Sequence, residues 1–533
     1  MMRVSHLRRD APLCNIARGL QRIASAMLAS TGVSEAGAAS GNVSATSGTA
    51  TPTRRSVDAE LGQRHTPFSS PLPMDVEEDL SQPMKPKDMR YRHVPSTRVG
   101  RAAGFASLFM HLGWEKVTGS IPAGGLLSER GHQHIVETLC RMRGAVLKLG
   151  QMLSIQDEST IPPHVAGLFE RVRDQAFAMP PAQLHHTLAK EFGNANWRSD
   201  LFDTFDDTPV AAASIGQVHR ATLRPGTAGT DPTKAPVEVA VKVQYPGVAQ
   251  SIDSDVANLK MLMSLGVLPP GMFVDKILQE LRKELSTECR YTLEASKQVR
   301  YRDLVAADPA LSNLFYVPKV YEAITTDQVL VSEYVRGVTI DQLGKRPDVP
   351  QELRNYIAEN FMALTLKELF VWRFMQTDPN FSNFLYNAKE KRVYLLDFGA
   401  SREYSKAFLD DYLDVVTAAA TGDCETIIEK SIALGFLTGH EVPEMLDAHC
   451  KSVLLLGKPF QDREHHFDFS AQNLPSSIQA HVPTMVKLRL RPPPSPVYSL
   501  HRRLSGTILL ATKFKATIHS GRLFWDIHDQ LRK

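Results

Sequence analysis

The 533-residue sequence contains no run of 18 apolar residues, the length that a helix needs to cross the hydrocarbon core of a bilayer. This absence excludes a transporter with many spans. The nearest candidate, residues 102–112, is too short to cross and is better interpreted as an amphipathic or re-entrant segment. Peripheral attachment to a membrane is therefore the form of membrane contact that the sequence allows.

Cysteine is scarce and net charge is small. The five cysteines are widely separated, with no Cys-x-x-Cys pair, which argues against a disulfide scaffold and a structural zinc site. The adjacent His465 and His466 lie in a polar stretch and are interpreted as surface residues. A net charge of +3 gives no global field that would hold nucleic acid, so no nucleic-acid partner is predicted.

The composition is that of a globular protein, with 43% hydrophobic and 22% charged residues, and the length suggests about three structural units. Residues 1–30 carry five arginines and one acidic residue, and their apolar residues recur at roughly a helical period. This pattern is typical of a mitochondrial transit peptide; a disordered basic tail is the alternative. Residues 31–90 are rich in Ser, Ala, Gly, Thr and Pro and are predicted to be a disordered linker.

The middle of the chain has the order of elements found in the small lobe of a kinase. Alternation of apolar and polar residues predicts strands within residues 202–225, which include a turn of small residues, and within residues 237–245, which contain a lysine. A long helix over residues 275–304 and two strands within residues 316–335 follow. The small residues and the lysine are Ala211, Ala212, Ala213, Ser214 and Lys242. Small side chains let backbone amides approach phosphate oxygens, and a lysine held by a helix glutamate supplies a fixed positive charge.

The large-lobe sequence completes an ATP site. After a helical stretch over residues 350–374, Asp378 and Asn383 form an Asp-x4-Asn pattern, and Asp397-Phe398-Gly399 begins fourteen residues after Asn383. This spacing places one carboxylate at the attacking group, and an amide and a second carboxylate on Mg²⁺. The sequence therefore predicts a site for ATP and Mg²⁺.

Several features of a protein kinase are missing. No His-Arg-Asp precedes Asp378, no Ala-Pro-Glu follows Gly399, and helical sequence begins directly after Arg402-Glu403. Alanines replace the glycines over the phosphates and remove the positive-φ conformations of a Gly-rich loop. We therefore expect altered nucleotide handling and poor phosphorylation of polypeptides in trans.

Together with Lys148-Leu149-Gly150-Gln151 in an upstream helix, these motifs resemble the UbiB family of atypical kinases, in particular its mitochondrial branch, over about residues 101–533. The resemblance implies an α+β, two-lobed, protein-kinase-like fold with an N-terminal helical extension that covers the ATP cleft. The expected units are the helical extension (91–195), the small lobe (196–335) and the large lobe (336–533).

The resemblance also implies residue roles. The helices bearing Lys148 and Gln151 would cover the cleft where a peptide substrate would otherwise lie. Lys242 would contact the phosphates and pair with Glu294, and Asp378 would accept the proton. The remaining positions would be a hinge for adenine, formed by Ser332, Glu333, Tyr334 and Val335, and two Mg²⁺ ligands, Asn383 and Asp397.

One departure from the family pattern lies in the long helix, where the sequence reads Glu288-Cys289-Arg290 in place of a Glu-x-Asp pair. A charge is thereby inverted beside the cleft, and the role of an acid at position 290 is lost. The insertion at residues 225–236 is interpreted as a surface loop without a catalytic role.

For function, the resemblance implies ATP hydrolysis or small-molecule phosphotransfer that supports coenzyme Q biosynthesis on the matrix side of the inner mitochondrial membrane. The implied partners are coenzyme Q biosynthesis enzymes, quinone precursors and the inner-membrane lipid surface. The basic stretch 487–503 could touch anionic lipid head groups, but a plain solvated surface is the favoured interpretation of it. The oligomeric state stays open, with a homodimer as one alternative. Two other functions remain as alternatives, a nucleotide-binding pseudokinase scaffold and a free-standing small-molecule kinase.

Overall fold

The structure, a computed structural model, describes residues 76–77, 90–91, 177–262, 274–472, 474–491 and 494–533. The predicted transit peptide, Lys148 and Gln151 lie outside these residues. Within the segment predicted to be a linker, Val76 and Glu77 are helical, and Val76 packs against the large core of the C-terminal lobe.

The helices and strands are as follows in chain order. The first part contains β1 (Arg90–Tyr91), β2 (Phe177–Ala178), α1 (Pro181–Glu191), α2 (Trp197–Leu201), β3 (Phe202–Phe205), β4 (Ala211–Ala212), β5 (Gly216–Leu223), β6 (Val237–Gln244), α3 (Val248–Leu262), α4 (Val274–Glu288), α5 (Tyr291–Ala306) and α6 (Pro309–Ser312). The second part contains β7 (Phe315–Tyr316), β8 (Val329–Glu333), β9 (Val338–Thr339), α7 (Ile340–Lys345), α8 (Gln351–Leu366), a π-helical turn (Lys367–Val371), β10 (Phe374–Gln376), β11 (Phe384–Asn387), β12 (Arg392–Leu395) and β13 (Ser401–Glu403). The last part contains α9 (Lys406–Thr421), α10 (Cys424–Ala433), α11 (Pro443–Gly457), β14 (Phe467–Asp468), α12 (Leu474–Gln479), α13 (Val482–Leu488), α14 (Ser495–Lys513), β15 (Thr517–Ile518) and α15 (Ser520–Arg532).

The small lobe is built on an antiparallel sheet. Strands β3, β5, β6 and β8 lie side by side in that order, and β4 pairs with β5. In β6, Val239, Val241 and Val243 are fully buried in the small-lobe core. Because side chains alternate between the two faces of a strand, Lys242 lies on the opposite face of β6.

The single long helix predicted over residues 275–304 is in fact two helices, α4 and α5. The backbone of Arg290 leaves the helical region at φ −116° and ψ 87°. The break is held from outside, because the amide of Tyr291 donates to the Asp327 carbonyl and the side chain of Gln244 donates to the Cys289 carbonyl. A new helix therefore starts after the break, and Glu294 lies in its first turn.

The prediction of two strands within residues 316–335 was correct about their existence but not about their sheet. Only β8 joins the small-lobe sheet. β7 pairs in parallel with β12 in a four-stranded sheet of the large lobe, in the order β7-β12-β11-β9. Short strands do not reveal their partners in sequence, because pairing is decided by tertiary contacts.

In the large lobe, α9 begins very soon after the Asp-Phe-Gly tripeptide. β13 pairs with β10, and Ser405 then caps α9 by accepting a hydrogen bond from the Phe408 amide. The helix ends at Gly422, which has φ 82°. The prediction that there is little room for an activation loop is confirmed.

Among the described residues there is one disulfide, which joins Cys424 of α10 to Cys450 of α11, with Cα atoms 5.9 Å apart. A single cross-link is not a scaffold, but the sequence did not predict it, since spacing alone cannot identify pairs. Cys289 is buried and is not part of this disulfide.

One expectation about the chain surface is met. Residues 225–236 form an exposed connection between β5 and β6, as the interpretation as a surface loop requires. Among the described residues, no helix has the length and hydropathy to cross a membrane.

Candidate active site

An ion cluster lies between the two lobes. Lys242 Nζ is 2.7 Å from Glu294 Oε1 and 3.0 Å from Glu294 Oε2, and it is 3.6 Å from Asp397 Oδ2. β6, α5 and the segment after β12 therefore bring together three residues that are spread over more than 150 positions of sequence. The Glu294 side chain is only 4% exposed, whereas that of Asp397 is 40% exposed. The cluster thus has a buried end at α5 and an open end at Asp397.

The charges of this cluster do not balance. Burial, together with the carboxylates of Asp397 and Glu288, outweighs the opposing effect of Lys242 and raises the pKa of Glu294 to about 7. Burial lowers the pKa of Lys242, but the carboxylates of Asp397 and Glu294 outweigh it and hold that pKa well above its usual range. The lysine is therefore permanently charged and is surrounded by an excess of negative charge, which an added cation would offset.

Tyr291 is a further member of this site. It is fully buried, and Lys242 Nζ lies 4.9 Å from the centre of its ring. This is within the range of a cation–π contact, which helps to hold the lysine in place. The Tyr291 hydroxyl has no hydrogen-bond partner among the residues that the structure describes. Sequence reasoning missed this residue, although it directly follows the Glu288-Cys289-Arg290 segment.

Asp378 and Asn383 lie in one tight loop. Asn383 Nδ2 donates to Asp378 Oδ2 at 2.9 Å, and the Asn380 amide donates to Asp378 Oδ1 at 3.2 Å. The Leu396 amide donates to the Asn383 carbonyl at 2.9 Å, which ties this loop to the residue before Asp397. The structure thus brings the predicted proton acceptor and both predicted metal ligands into one region.

Asp397 has an unusual backbone. Its φ is +39°, in the left-handed region that non-glycine residues seldom occupy. The conformation is held by two hydrogen bonds, from Gln376 Nε2 to the Asp397 carbonyl at 3.1 Å and from the Gly399 amide to Asp397 Oδ1 at 3.2 Å. Strained residues of this kind cluster at functional sites, because the surrounding structure must compensate for the strain.

The phosphate-loop residues differ in part from expectation. Ala211 and Ala212 are in β4, paired with Val218 and Gln217, so the turn itself comprises residues 213–215. The amide of Ala213 donates to the Gly216 carbonyl at 2.9 Å. Residues 211–215 are all described and none has a positive φ, as the alanine-for-glycine replacement predicts.

The candidate hinge follows the small-lobe sheet directly. Ser332 pairs with Ala240, the amide of Glu333 donates to the Lys319 carbonyl, and the amide of Tyr334 donates to the Glu238 carbonyl. These three residues are therefore engaged in the sheet. Val335 is the predicted hinge residue that follows the last strand pairing.

Comparison with known proteins agrees with this geometry. A family model described as "ABC1 atypical kinase-like domain" matches residues 171–431. A rat protein, "Atypical kinase COQ8B, mitochondrial", is 44% identical over 452 residues, which are 82% of each chain. The yeast Saccharomyces cerevisiae protein "Atypical kinase COQ8, mitochondrial" is 39% identical, over 88% of this chain and 92% of its own length.

The chain belongs to the ABC1 family of atypical kinases. The predicted family, the two-lobed α+β fold and the kinase/ATPase enzyme class are thereby confirmed. A nematode relative, "Atypical kinase coq-8, mitochondrial" from Caenorhabditis elegans, is 45% identical, but the chain spans only 58% of it. A solved Mycobacterium tuberculosis structure, the complex of Rv3197 with erythromycin, shares the fold with a TM-score of 0.50 at 23% identity, over 74% of this chain and 95% of its own.

The basic stretch 487–503, for which a solvated surface was the favoured interpretation and a contact with lipid head groups the alternative, is partly turned inward. Arg503 is only 2% exposed and its Nε donates to Glu368 at 3.0 Å. Arg502 is directed to Glu284, at 3.3 Å. The side chains of Lys487 and Arg491 are exposed.

Proposed function

We propose that this ABC1-family chain uses Mg²⁺ and ATP for ATP hydrolysis or small-molecule phosphoryl transfer that supports coenzyme Q biosynthesis. The observation that carries the proposal is the contact of Lys242 with both Glu294 and Asp397 beside the Asp378–Asn383 pair. A lysine that is held by one acid and shared with a second acid is the arrangement that phosphoryl-transfer sites use.

The residues present fit Mg²⁺. The carboxylate of Asp397 and the side chain of Asn383 are oxygen donors of the kind that Mg²⁺ prefers. A second indication is that Lys242 faces two carboxylates, those of Glu294 and Asp397, so that the cluster carries excess negative charge that a cation would offset. Bound Mg²⁺ would neutralise charge that develops on the phosphates.

The remaining roles follow from position. Lys242 would hold the phosphates, since its charge is permanent and its side chain is fixed by Glu294 and the Tyr291 ring. Asp378 would accept the proton of the attacking group, and the Asn383 amide keeps one of its oxygens oriented. Ala211, Ala212, Ala213 and Ser214 would border the phosphates. At the hinge, Val335 would donate its amide to adenine, because the amides of Glu333 and Tyr334 are used within the sheet.

The acceptor is proposed to be water or a small molecule. The short connection from Asp397 to α9 leaves no long segment on which a peptide could dock. We further propose that Lys148 and Gln151 cover the cleft, that the chain acts on the matrix side of the inner mitochondrial membrane, and that quinone precursors and biosynthetic enzymes are its partners. The relatives named "mitochondrial" support a location in the mitochondrion.

The experiment compares ATP hydrolysis by wild type and Asp378→Asn, with liposomes and phenolic precursors present. We expect a loss of about 100-fold in kcat, the usual contribution of a general base. Asp410→Asn, on the exposed face of α9, is the matched control and should retain wild-type activity. Equal rates for wild type and Asp378→Asn would favour the pseudokinase scaffold instead.

The second alternative, a free-standing small-molecule kinase, is tested by substitutions at Lys148 and Gln151. Removing residues up to 195 is unsuitable, because Leu184 and Leu188 of α1 belong to the small-lobe core. Lys148→Ala and Gln151→Ala are the better variants. Unchanged hydrolysis and unchanged acceptor range in both variants would support the free-standing kinase over the proposal.

A further inference from the structure

A buried polar cluster lies behind the cleft, centred on Glu368 in the π-helical turn between α8 and β10. Glu368 is completely buried. Its Oε1 accepts hydrogen bonds from the Tyr301 hydroxyl at 2.6 Å and from the Gln376 amide at 2.9 Å, and its Oε2 accepts from Arg503 Nε at 3.0 Å. Single π-helical turns are rare and are frequent at functional sites.

A buried ion pair is weak evidence for stability alone, because both charges lose their hydration. Apolar residues of similar volume would fill this space at least as well. What an apolar pair could not do is fix the directions of the groups that meet here. The carboxylate of Glu368 receives donors from α5, from β10 and from α14, and each donor has a defined direction.

One of these donors, Gln376, leads directly to the active site. Gln376 lies two residues before Asp378, and its side chain donates to the carbonyl of Asp397 at 3.1 Å, where the backbone has its positive φ. The amide of the same residue is held by Glu368. The carboxylate therefore fixes the strand that positions both Asp378 and the backbone of Asp397.

A second connection from Glu368 to the active site runs through α5. The ring of Tyr301 lies 4.9 Å from that of Phe398, the buried phenylalanine of the Asp-Phe-Gly tripeptide. Tyr301 follows Glu294 by seven residues, or about two helical turns, so the two side chains lie on the same side of α5. Fixing the Tyr301 hydroxyl thus fixes the helix that presents Glu294 to Lys242.

Helix α14 packs against the loop that carries Asp378. Arg503 supplies the counter-charge of Glu368, and one turn later a Cβ at Gly506 would overlap the ring of Pro379, which directly follows Asp378. Thr507 hydrogen-bonds Thr365 of α8 at 2.8 Å. The close approach at Gly506 places this helix against the loop that carries Asp378.

We propose that Glu368 is a positioning residue of the phosphoryl-transfer site, which couples α5, β10 and the Asp-Phe-Gly backbone, and that Arg503 of α14 supplies its counter-charge. This inference rests on the proposed function for its kinetic test, but its structural test does not depend on turnover. Glu368 acts through Gln376 and Tyr301 and does not itself touch the nucleotide.

The test uses Tyr301→Phe, which removes one hydrogen bond to Glu368 and preserves the ring that packs on Phe398. We expect kcat for ATP hydrolysis to fall about tenfold, as for the loss of one hydrogen bond to a charged group, with KM for ATP within about twofold of wild type. The matched control is Tyr356→Phe on α8, which should leave both constants unchanged. A second variant, Glu368→Met combined with Arg503→Met, keeps an apolar filling while it removes the acceptor of the Gln376 amide.

Hydrogen exchange without nucleotide separates positioning from a purely structural role. For both variants we expect faster exchange in the segment 374–400 and wild-type exchange in α9 to α11. Three results would overturn the proposal. They are uniformly faster exchange in either variant, a loss of kcat that is proportional to the loss of thermal stability, and full activity of the double variant. If wild type shows no hydrolysis, the proposed function fails, whereas the local exchange pattern still decides the role of Glu368.

Discussion

Replacing Glu294 with glutamine tests the charge imbalance at the centre of the cleft. Glu294 is buried and shares the ammonium group of Lys242 with Asp397. Burial and the carboxylates of Asp397 and Glu288 raise the pKa of Glu294 from 4.5 to about 7. Glutamine has nearly the shape of the neutral acid, so the variant avoids the free-energy cost of ionising this group.

The sign and size of the effect follow from proton linkage. The pKa of Glu294 is higher in the folded than in the unfolded chain, so the folded chain binds more protons between pH 4.5 and 7. Wild type therefore loses stability relative to Glu294→Gln as the pH rises through this range. For a pKa that rises from 4.5 to about 7, the difference in unfolding free energy between wild type and Glu294→Gln changes by roughly 2 to 3 kcal/mol between pH 5 and pH 8.

The assay is urea unfolding of both proteins at pH 5, 6, 7 and 8 with EDTA, so that no divalent cation occupies the cluster. Glu429→Gln, an exposed position on α10, is the control and should show no such trend. ATP hydrolysis by Glu294→Gln should nevertheless fall, because Lys242 loses the carboxylate that holds it. A stability difference that does not vary with pH, or that changes in the opposite direction, would refute the reasoning.

Three further predictions concern other parts of the chain. Ala211→Gly should weaken the pairing of β4, the strand that leads into the turn 213–215, and so loosen the phosphate loop, with a changed nucleotide Kd or self-phosphorylation. An unchanged Kd without labelling would contradict our account of this loop. His219 is buried between the Asp206 carbonyl and the Gln217 side chain, and burial lowers its pKa to about 4, so stability should fall as the pH drops from 6.5 to 4. His219→Gln should flatten that slope in acid unfolding followed by circular dichroism, and an unchanged slope would argue against burial as its cause. The disulfide should contribute about 3 kcal/mol to the free energy of unfolding for a loop of this size, so the oxidised protein should have a higher Tm than the reduced protein. Cys450→Ser should remove this difference in Tm, and a persisting difference would mean that another group responds to the reductant.

The parts of the site that sequence predicted are those set by local pattern. Lys242 lies on the cleft side of β6 because strand alternation buries Val241 and Val243 on the other side. Asp378 and Asn383 lie in one loop because only four residues separate them. Spacing of this kind needs no knowledge of the remaining fold.

The parts that sequence missed depend on contacts between distant segments. The break between α4 and α5 is held by Asp327 and Gln244, which lie outside both helices. Arg503 looked like one of several basic surface residues, and only its pairing with Glu368 shows that it is buried. β7 is too short for its sequence to reveal that β12 is its partner.

The central claim is that one nucleotide with its metal ion binds where Lys242, Asn383 and Asp397 meet. Titration calorimetry of ATP with and without Mg²⁺, on wild type and Asp397→Asn, tests it most directly. We expect Mg²⁺ to strengthen ATP binding to wild type and to have little effect on the variant, which loses a carboxylate ligand. Equal Mg²⁺-dependent binding by both proteins would contradict the account.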